Sequence, residues 1–347
     1  MDSLYTRKDI NEYTVELEMK IPADSFKHSY DLMLKDYSKD LDIKGFRKGK
    51  VPTDLVSDQV KEIVKYETFE KLAPMYINTA ISKEKLEPIA PPQYKELPKI
   101  LEDLDIPFTI VITTMPKFTL GNMKKVKVEK KKLVVEESEI ESALQDLKQS
   151  QKTKNKEIND DWAKEIGKLI DAKEVKTLDE LREKIKNALQ VQKDHYQMHT
   201  MQDEALKLAI SESNIEIPQP AIDFEAHERE KAFNDDMKSR GVSIDDFLKA
   251  NNITIDKMRE LWQADSKEAI QADVFLNLYA DTKDIKVTDQ ELEKKIEDIK
   301  TQRPDADRNI FSNLEWREYI KKVEKKEKAF RMFIEEVLGK EFLDSHN

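Results

Sequence analysis

The segment Lys44–Pro52 concentrates groups suited to binding: four cations within seven positions, an aromatic ring and two glycines. The relevant residues are Lys44, Gly45, Phe46, Arg47, Lys48, Gly49, Lys50 and Pro52. Glycine permits the positive φ of a tight turn, and proline suits the first turn of a following helix. Clustered cations attract phosphate, and an exposed aromatic ring binds a base face or an apolar pocket. We therefore predict that this basic loop docks onto an anionic surface with an apolar spot, such as a ribonucleoprotein.

Two other interpretations of the basic loop use the same residues. A basic turn between helices can simply be solvated, and the loop alone does not decide against that. A phosphate-binding loop would need G-x-x-x-x-G-K-[ST] after a strand. Here the two glycines are one residue too close, Val51 replaces the Ser or Thr, and a helical pattern precedes the loop. We therefore reject ATP binding at this loop.

Two histidines are the other residues whose spacing could support chemistry. His195 and His199 lie four apart in a predicted helix, so both imidazoles share a face and could bind zinc. However, Tyr196 follows His195 where the H-E-x-x-H motif has its glutamate, and the sequence suggests no third ligand. Two solvated histidines are the favoured interpretation. Since G-x-S-x-G and G-x-G-x-x-G motifs are also absent, we expect no catalytic residues, no metal and no cofactor.

The composition predicts a charged, largely helical, elongated protein of two or more structural units. Charged residues make up 38% of the 347 residues, and the formal net charge is -11. The absence of cysteine excludes disulfides, thiolate catalysis and cysteine–zinc sites. Residues 1–12 lack the apolar stretch of a signal peptide, and no run of about 18 apolar residues occurs. We therefore expect a soluble, cytoplasmic protein that does not enter a membrane.

Hydrophobic periodicity predicts a small α+β unit over residues 1–115. Residues 11–21 and 106–112 alternate between apolar and polar side chains, as half-buried strands do. The helical period of three to four residues occupies the sequence on both sides of the basic loop. The predicted unit is therefore an antiparallel sheet with a helix–loop–helix that carries the basic loop.

The rest of the chain reads as an extended linker over residues 116–135 and an all-helical domain over residues 136–347. Helix-boundary signals support the helices. They are capping boxes at Thr177 with Glu180 and at Thr288 with Glu291, an N-cap at Thr254, and a helix stop at Gly241. The predicted fold class is α+β, with a small N-terminal sheet-and-helix domain followed by an elongated helical domain.

The basic loop between two amphipathic helices resembles the ribosome-binding signature of the bacterial trigger factor family. Further segments are similar to the family in the same order along the chain. They are Ala23–Ser25, Leu86–Pro88, Phe108–Thr109, the arm helix at Val135–Gln151, Ile158–Asp161, Leu178–Arg182, Ile217–Pro218 and Ile222–Glu225. The resemblance covers nearly the whole chain, and the basic loop is its most specific part.

One feature of the family has no room in this sequence. Trigger factors carry a prolyl isomerase domain of the FKBP type between the arm helix and the C-terminal region. Here only six residues, 152–157, separate Gln151 from Ile158, and a β-sheet domain does not fit in that length. The isomerase residues of the family therefore have no counterparts, and we expect a protein that is not an enzyme. The sequence does not show whether the loss is natural or engineered.

The resemblance implies an ATP-independent chaperone that docks on the ribosome near the exit tunnel and holds nascent or unfolded polypeptides. Its partners would be ribosomal protein and rRNA at the exit site, together with client chains. Protein export and cell division belong to the implied roles, and a homodimer is one state to consider. Met237, Met258 and Met332 are candidate client-binding residues because methionine adapts to varied surfaces. The alternative is a ribosome- or RNA-binding module without holding activity.

Overall fold

The computed structural model describes residues 4–40, 52–96, 98–101, 103–129, 133–151, 157–171, 174–303 and 308–342. Contacts between Cα atoms divide the chain into two units. One unit is Met1–Lys117 with Glu216–Ile270, and the other is Phe118–Ile215 with Gln271–Asn347. Each unit thus contains two separate stretches of sequence.

The alternating apolar residues near the N-terminus form a four-stranded antiparallel sheet in the order β1-β2-β4-β3. The strands are β1 (Tyr5–Asp9), β2 (Thr14–Ile21), β3 (Gln93–Tyr94) and β4 (Ile106–Thr113). Leu17 of β2 lies opposite Ile110 of β4, and both are fully buried. Burial of one face fixes the register, because a shift by one residue would expose that face. The two strands predicted from alternation are confirmed.

The outer strands of the sheet were not predicted. The side chains of β1 are exposed except for the half-buried Tyr5, so its sequence shows no alternation between apolar and polar residues. β3 has only two residues, and both are exposed. Hydrophobic periodicity detects a strand only where one of its faces is buried. Hydrophobic periodicity therefore could not predict β1 or β3.

Two long helices pack on the sheet: α1 (Ala23–Asp40) and α2 (Asp58–Glu84). Ser57 begins α2, since its Oγ accepts a hydrogen bond from the Val60 N–H. Lys85 ends it in the left-handed conformation at φ 53°. Within the core, the ring of Phe69 on α2 meets that of Phe108 on β4 edge-to-face, with centroids 5.3 Å apart. The predicted helix–loop–helix is therefore anchored to the sheet by a buried aromatic pair.

The predicted helical region contains eight helices among its described residues. They are α3 (Glu137–Ser150), α4 (Asp160–Leu169), α5 (Leu178–Glu212), α6 (Gln219–Ser239), α7 (Ile244–Ala250), α8 (Ile255–Thr282), α9 (Asp289–Gln302) and α10 (Leu314–Val337). Both capping boxes form as predicted, at the starts of α5 and α9. Gly241 follows α6 with φ +67°, and Thr254 Oγ1 accepts a hydrogen bond from the Lys257 N–H at the start of α8. The boundary signals are thus confirmed.

The helices bury several separate clusters rather than one core. Trp162 of α4 and Leu181 of α5 are fully buried in a cluster with α3. In the same unit, Phe333 of α10 packs edge-to-face on Phe275 of α8, with ring centroids 5.0 Å apart. Tyr279 also contacts Phe333, and its hydroxyl donates a hydrogen bond to Glu336 at 2.6 Å. Burial and this hydrogen bond raise the pKa of Tyr279 above its usual value.

The linker sequence 116–135 contains a short 3-10 turn at Met123–Lys125 in its described part. Gly121 precedes this turn and lies directly against the end of α5. Its N–H donates a hydrogen bond to Ser213 Oγ at 3.1 Å, and Lys125 forms an ion pair with Glu212 at 2.7 Å. This part of the linker is therefore held against α5 by specific contacts.

Candidate functional site

The basic loop is the first candidate site, and most of it lies outside the described residues. Its members Lys44, Gly45, Phe46, Arg47, Lys48, Gly49 and Lys50 fall within 41–51, where the structure is not described. Pro52 is described and exposed. With φ -61° and ψ 142°, it directly precedes a 3-10 turn at Thr53–Leu55, and α2 follows three residues later. Pro52 therefore begins the first turn after the loop, as its fixed φ favours.

A small apolar cluster joins α1 to the start of α2, the two helices that flank the basic loop in sequence. Leu34 of α1, Val56 at the end of the 3-10 turn and Val64 of α2 are buried in it, and half-buried apolar side chains surround them. We call these three residues the loop-base cluster. Burial of three branched side chains stabilises the contact between the helix ends, at about 1.5–3 kcal/mol for each residue. The cluster therefore packs the described part of α1 against the 3-10 turn and the start of α2.

Polar contacts between α1 and α2 add to the loop-base cluster. Thr68 is fully buried, and its hydroxyl donates to the Val64 carbonyl at 2.6 Å while lying 3.3 Å from the sulfur of Met33. The Tyr37 hydroxyl donates to the Glu67 carboxylate, and this hydrogen bond raises the pKa of Tyr37. These contacts restrict sliding of one helix along the other. The helical period is evident in the sequence, but these polar partners are not.

The three candidate methionines differ in how much surface they present. Met237 on α6 is only 7% exposed, so its side chain is part of the interior. Met258 on α8 is half-buried, whereas Met332 on α10 is 40% exposed. Of the three, Met258 and Met332 are the ones whose side chains reach the surface. Sequence could not separate the three, because each lies in an amphipathic helix.

Several large apolar side chains of the helical region are exposed to solvent. They are Leu169, Ile170, Val191, Tyr196, Leu208, Phe224, Val242, Leu261, Ile310, Leu314, Tyr319 and Met332. Single exposed apolar residues are common on soluble proteins, so none of them alone indicates a binding site. Phe224, Val242 and Leu261 belong to one unit and the others to the second unit. Their number in segments otherwise rich in charged residues makes the exposed apolar side chains of each unit the second group of candidate site residues. The sequence predicted the helices but not which of their apolar side chains stay exposed.

Two other classes of site find no support within the described part of the chain. No group of three or more His, Asp or Glu side chains is arranged there to hold a metal ion. None of the helices described is long and apolar enough to cross a membrane.

The architecture defines an α+β protein in which a small antiparallel sheet with a helix–loop–helix precedes a helical region. A family model described as "Bacterial trigger factor protein (TF)" matches residues 4–147, and one described as "Bacterial trigger factor protein (TF) C-terminus" matches residues 177–335. The chain belongs to the bacterial trigger factor family. Only residues 148–176 lie between the two matched regions, so no middle domain separates them.

Individual proteins agree with the family match. The chain is similar to the trigger factors of Bacillus thuringiensis (strain Al Hakam) and Bacillus cereus (strain AH820). Each is 21% identical over 376 aligned residues, which cover 81% of this chain and 87% of the relative. Since 81% of 347 residues is about 281, about 95 of the 376 positions have no residue from this chain. The relatives therefore contain residues that this chain lacks.

A solved structure also has the same fold. It is described as "Promiscuous Substrate Recognition in Folding and Assembly Activities of the Trigger Factor Chaperone". The match covers 95% of this chain and 99% of that chain, with a TM-score of 0.53 and 18% identity. The fold class predicted from the sequence is therefore confirmed.

Proposed function

We propose that this protein is a chaperone that docks on the ribosome through the basic loop and holds nascent or unfolded chains without ATP. The observation that carries the proposal is the family match over residues 4–147, which includes the basic loop and both helices that carry it. The loop-base cluster supports it, because it packs together the two helices that flank the basic loop in sequence. We also propose that residues 1–115 form the docking domain, 116–135 the linker and 136–347 the client-binding domain.

Electrostatics determines what such docking requires. The chain carries a formal net charge of -11, so ribosomal RNA repels the molecule as a whole. A local cluster of cations at close range overcomes this repulsion, because screening limits long-range effects to about 8–10 Å at physiological salt. Binding through the basic loop should therefore weaken steeply as salt rises.

Ribosome co-sedimentation of the full chain tests the docking role. Changing Phe46, Arg47 and Lys48 together to Ala removes two charges and the aromatic ring. We expect binding to weaken tenfold or more, while the circular dichroism spectrum and thermal unfolding stay unchanged. Equal binding by this variant and the parent chain would refute docking through the loop.

A matched control removes the same kinds of group from α1. Lys27, Leu32 and Lys35 are exposed on that helix, so their joint change to Ala also removes two charges and one apolar side chain. This control should bind ribosomes within about twofold of the parent. A comparable loss in both triple variants would indicate a general charge effect rather than recognition by the loop.

The holding role rests on the exposed apolar surface of the helices. Exposed apolar groups bind unfolded segments, and methionine accommodates varied sequences. The full chain, without ATP or ribosomes, should slow aggregation of a chemically unfolded client in proportion to its concentration. Changing Met258 and Met332 to Ser should reduce this effect, whereas changing the exposed Glu318 and Lys322 to Ser should not.

The same pair of assays separates the two candidate functions. A chain that binds ribosomes but leaves client aggregation unchanged would be a ribosome-binding module without holding activity. A chain that slows aggregation but does not bind ribosomes would be a chaperone that does not dock through the basic loop. The proposal requires both activities in the same molecule.

A further inference from the structure

The two histidines on α5 approach each other closely. The Nε2 atoms of His195 and His199 are 3.2 Å apart, and their ring centroids are 4.4 Å apart with the planes at 73°. His195 is exposed and His199 is half-buried, so both rings can be reached from solvent. Spacing along the sequence placed them on one face but could not show which ring nitrogens meet.

This distance is the one that two imidazoles need in order to bind one metal ion. A Zn²⁺–N bond is about 2.0–2.1 Å long, and adjacent ligands subtend about 90–109° at the metal. Two nitrogens bound to one ion are therefore about 2.9–3.4 Å apart. The observed 3.2 Å lies within that range. The same distance also suits an N–H···N hydrogen bond between the rings, so the pair can exist without metal.

The surroundings keep this arrangement in place. Gln197 and Met198, between the two histidines in sequence, are buried and secure that turn of α5. Three residues beyond His199, the Gln202 side chain donates to the Phe342 carbonyl at 2.8 Å. A surface cavity of about 420 Å³ lies beside His195, and Asp194 and Glu341 also line it.

We propose that His195 and His199 bind one borderline divalent transition-metal ion, of the Zn²⁺ and Cu²⁺ type, through their two Nε2 atoms. Water molecules complete the coordination. Neutral imidazole suits these ions, whereas Mg²⁺ and Ca²⁺ require oxygen ligands and are not bound here. The site is independent of the proposed ribosome docking and client holding. With two protein ligands, it binds more weakly than the four-ligand sites that stabilise zinc domains.

Zn²⁺ titration of the full chain tests the proposal, with a chromophoric chelator as competitor. The parent chain should bind one Zn²⁺ that is at least tenfold tighter than in His195→Ala or His199→Ala. His227→Ala is the matched control, because His227 is exposed on α6 and has no histidine at helical spacing. This control should bind as the parent does. Equal affinity in the parent and the two single variants would overturn the proposal.

Histidine NMR signals provide a second, direct measurement. Added Zn²⁺ should shift the ring resonances of His195 and His199 together, at the same metal concentration, and leave those of His227 unchanged. Mg²⁺ should shift none of them. Uniform small shifts of all histidines would mean weak binding to surface carboxylates only. If an alanine variant loses helicity, His195→Gln and His199→Gln provide the comparison.

Discussion

Replacing Gly121 by Ala should detach the linker from the end of α5. A Cβ at this position would lie 2.4 Å from the Glu212 carbonyl oxygen and 2.6 Å from its carbon. Carbon atoms pack at about 3.5–4.0 Å, so the linker must move by about 1 Å or more. The obstacle is backbone at a helix end, which cannot rotate away as a flexible side chain does. The displacement would also lengthen the hydrogen bond from the Gly121 N–H to Ser213 Oγ.

The magnitude follows from these contacts. Overpacking of this kind costs about 1–3 kcal/mol. At about 1.4 kcal/mol for each factor of ten, the population with a detached linker should rise about 5- to 150-fold. We expect trypsin to measure this population: Lys124, Lys125 and Lys127 are exposed, but a protease needs a segment that can extend into its active site, and the contacts with α5 restrict that. The initial cleavage rate at these lysines should rise by the same factor, as followed by mass spectrometry.

Gly241→Ala is the control for this experiment. A Cβ at Gly241 meets nothing within 4 Å, so the only cost is its left-handed φ of +67°, about 1–2 kcal/mol. That cost falls on the end of α6 and should leave cleavage at the linker lysines unchanged. The reasoning from the close approach fails if Gly121→Ala shows the same linker cleavage rate as the parent chain.

Three other predictions concern stability and catalysis. Phe333 is fully buried among aromatic rings, so Phe333→Ala should lower the free energy of unfolding of its unit, measured with urea, by about 3–5 kcal/mol. Met332 is exposed, so Met332→Ala should lower it little. Equal effects of the two changes would contradict the described packing. Glu291 accepts hydrogen bonds from Lys328 and Thr288, which lower its pKa to about 2. Because the folded state favours the ionised form of Glu291, the parent should have a higher free energy of unfolding than Glu291→Gln. This difference should be complete above about pH 4.5, the ordinary pKa of glutamate, and should disappear as the pH falls towards 2. A difference that is independent of pH would refute this assignment. In a protease-coupled proline peptide assay the chain should not accelerate isomerisation, and a rate proportional to protein concentration would show that an isomerase site exists.

Local sequence signals predicted several helix boundaries in this protein. A capping box is complete within four residues, so Thr177 with Glu180 could be recognised without knowledge of the fold. The same holds for the alternation in β2, which directly reflects the burial of one face. These features involve residues that are close together in the sequence, so they can be predicted from the sequence.

Features that depend on distant residues could not be predicted. Contact between Gly121 and the end of α5 joins residues about 90 positions apart, and nothing near Gly121 indicates it. The burial of Met237 and the exposure of Met332 depend on which other elements cover α6 and α10. Similarly, the grouping of residues 216–270 with residues 1–117 joins two stretches that are far apart in the sequence, and no local signal indicates it.

The outer strands of the sheet have a consequence for a protein proposed to hold unfolded chains. An open strand edge offers backbone hydrogen bonds to any extended segment, and a bound client could add itself as a further strand. β1 carries Arg7, Lys8 and Asp9 along its exposed length, and Arg7 is paired with Asp9 and Glu84. β3 at the opposite edge has only two residues. Both edges are thus poor templates for β-aggregation. The protein can therefore bind aggregation-prone chains without aggregating together with them.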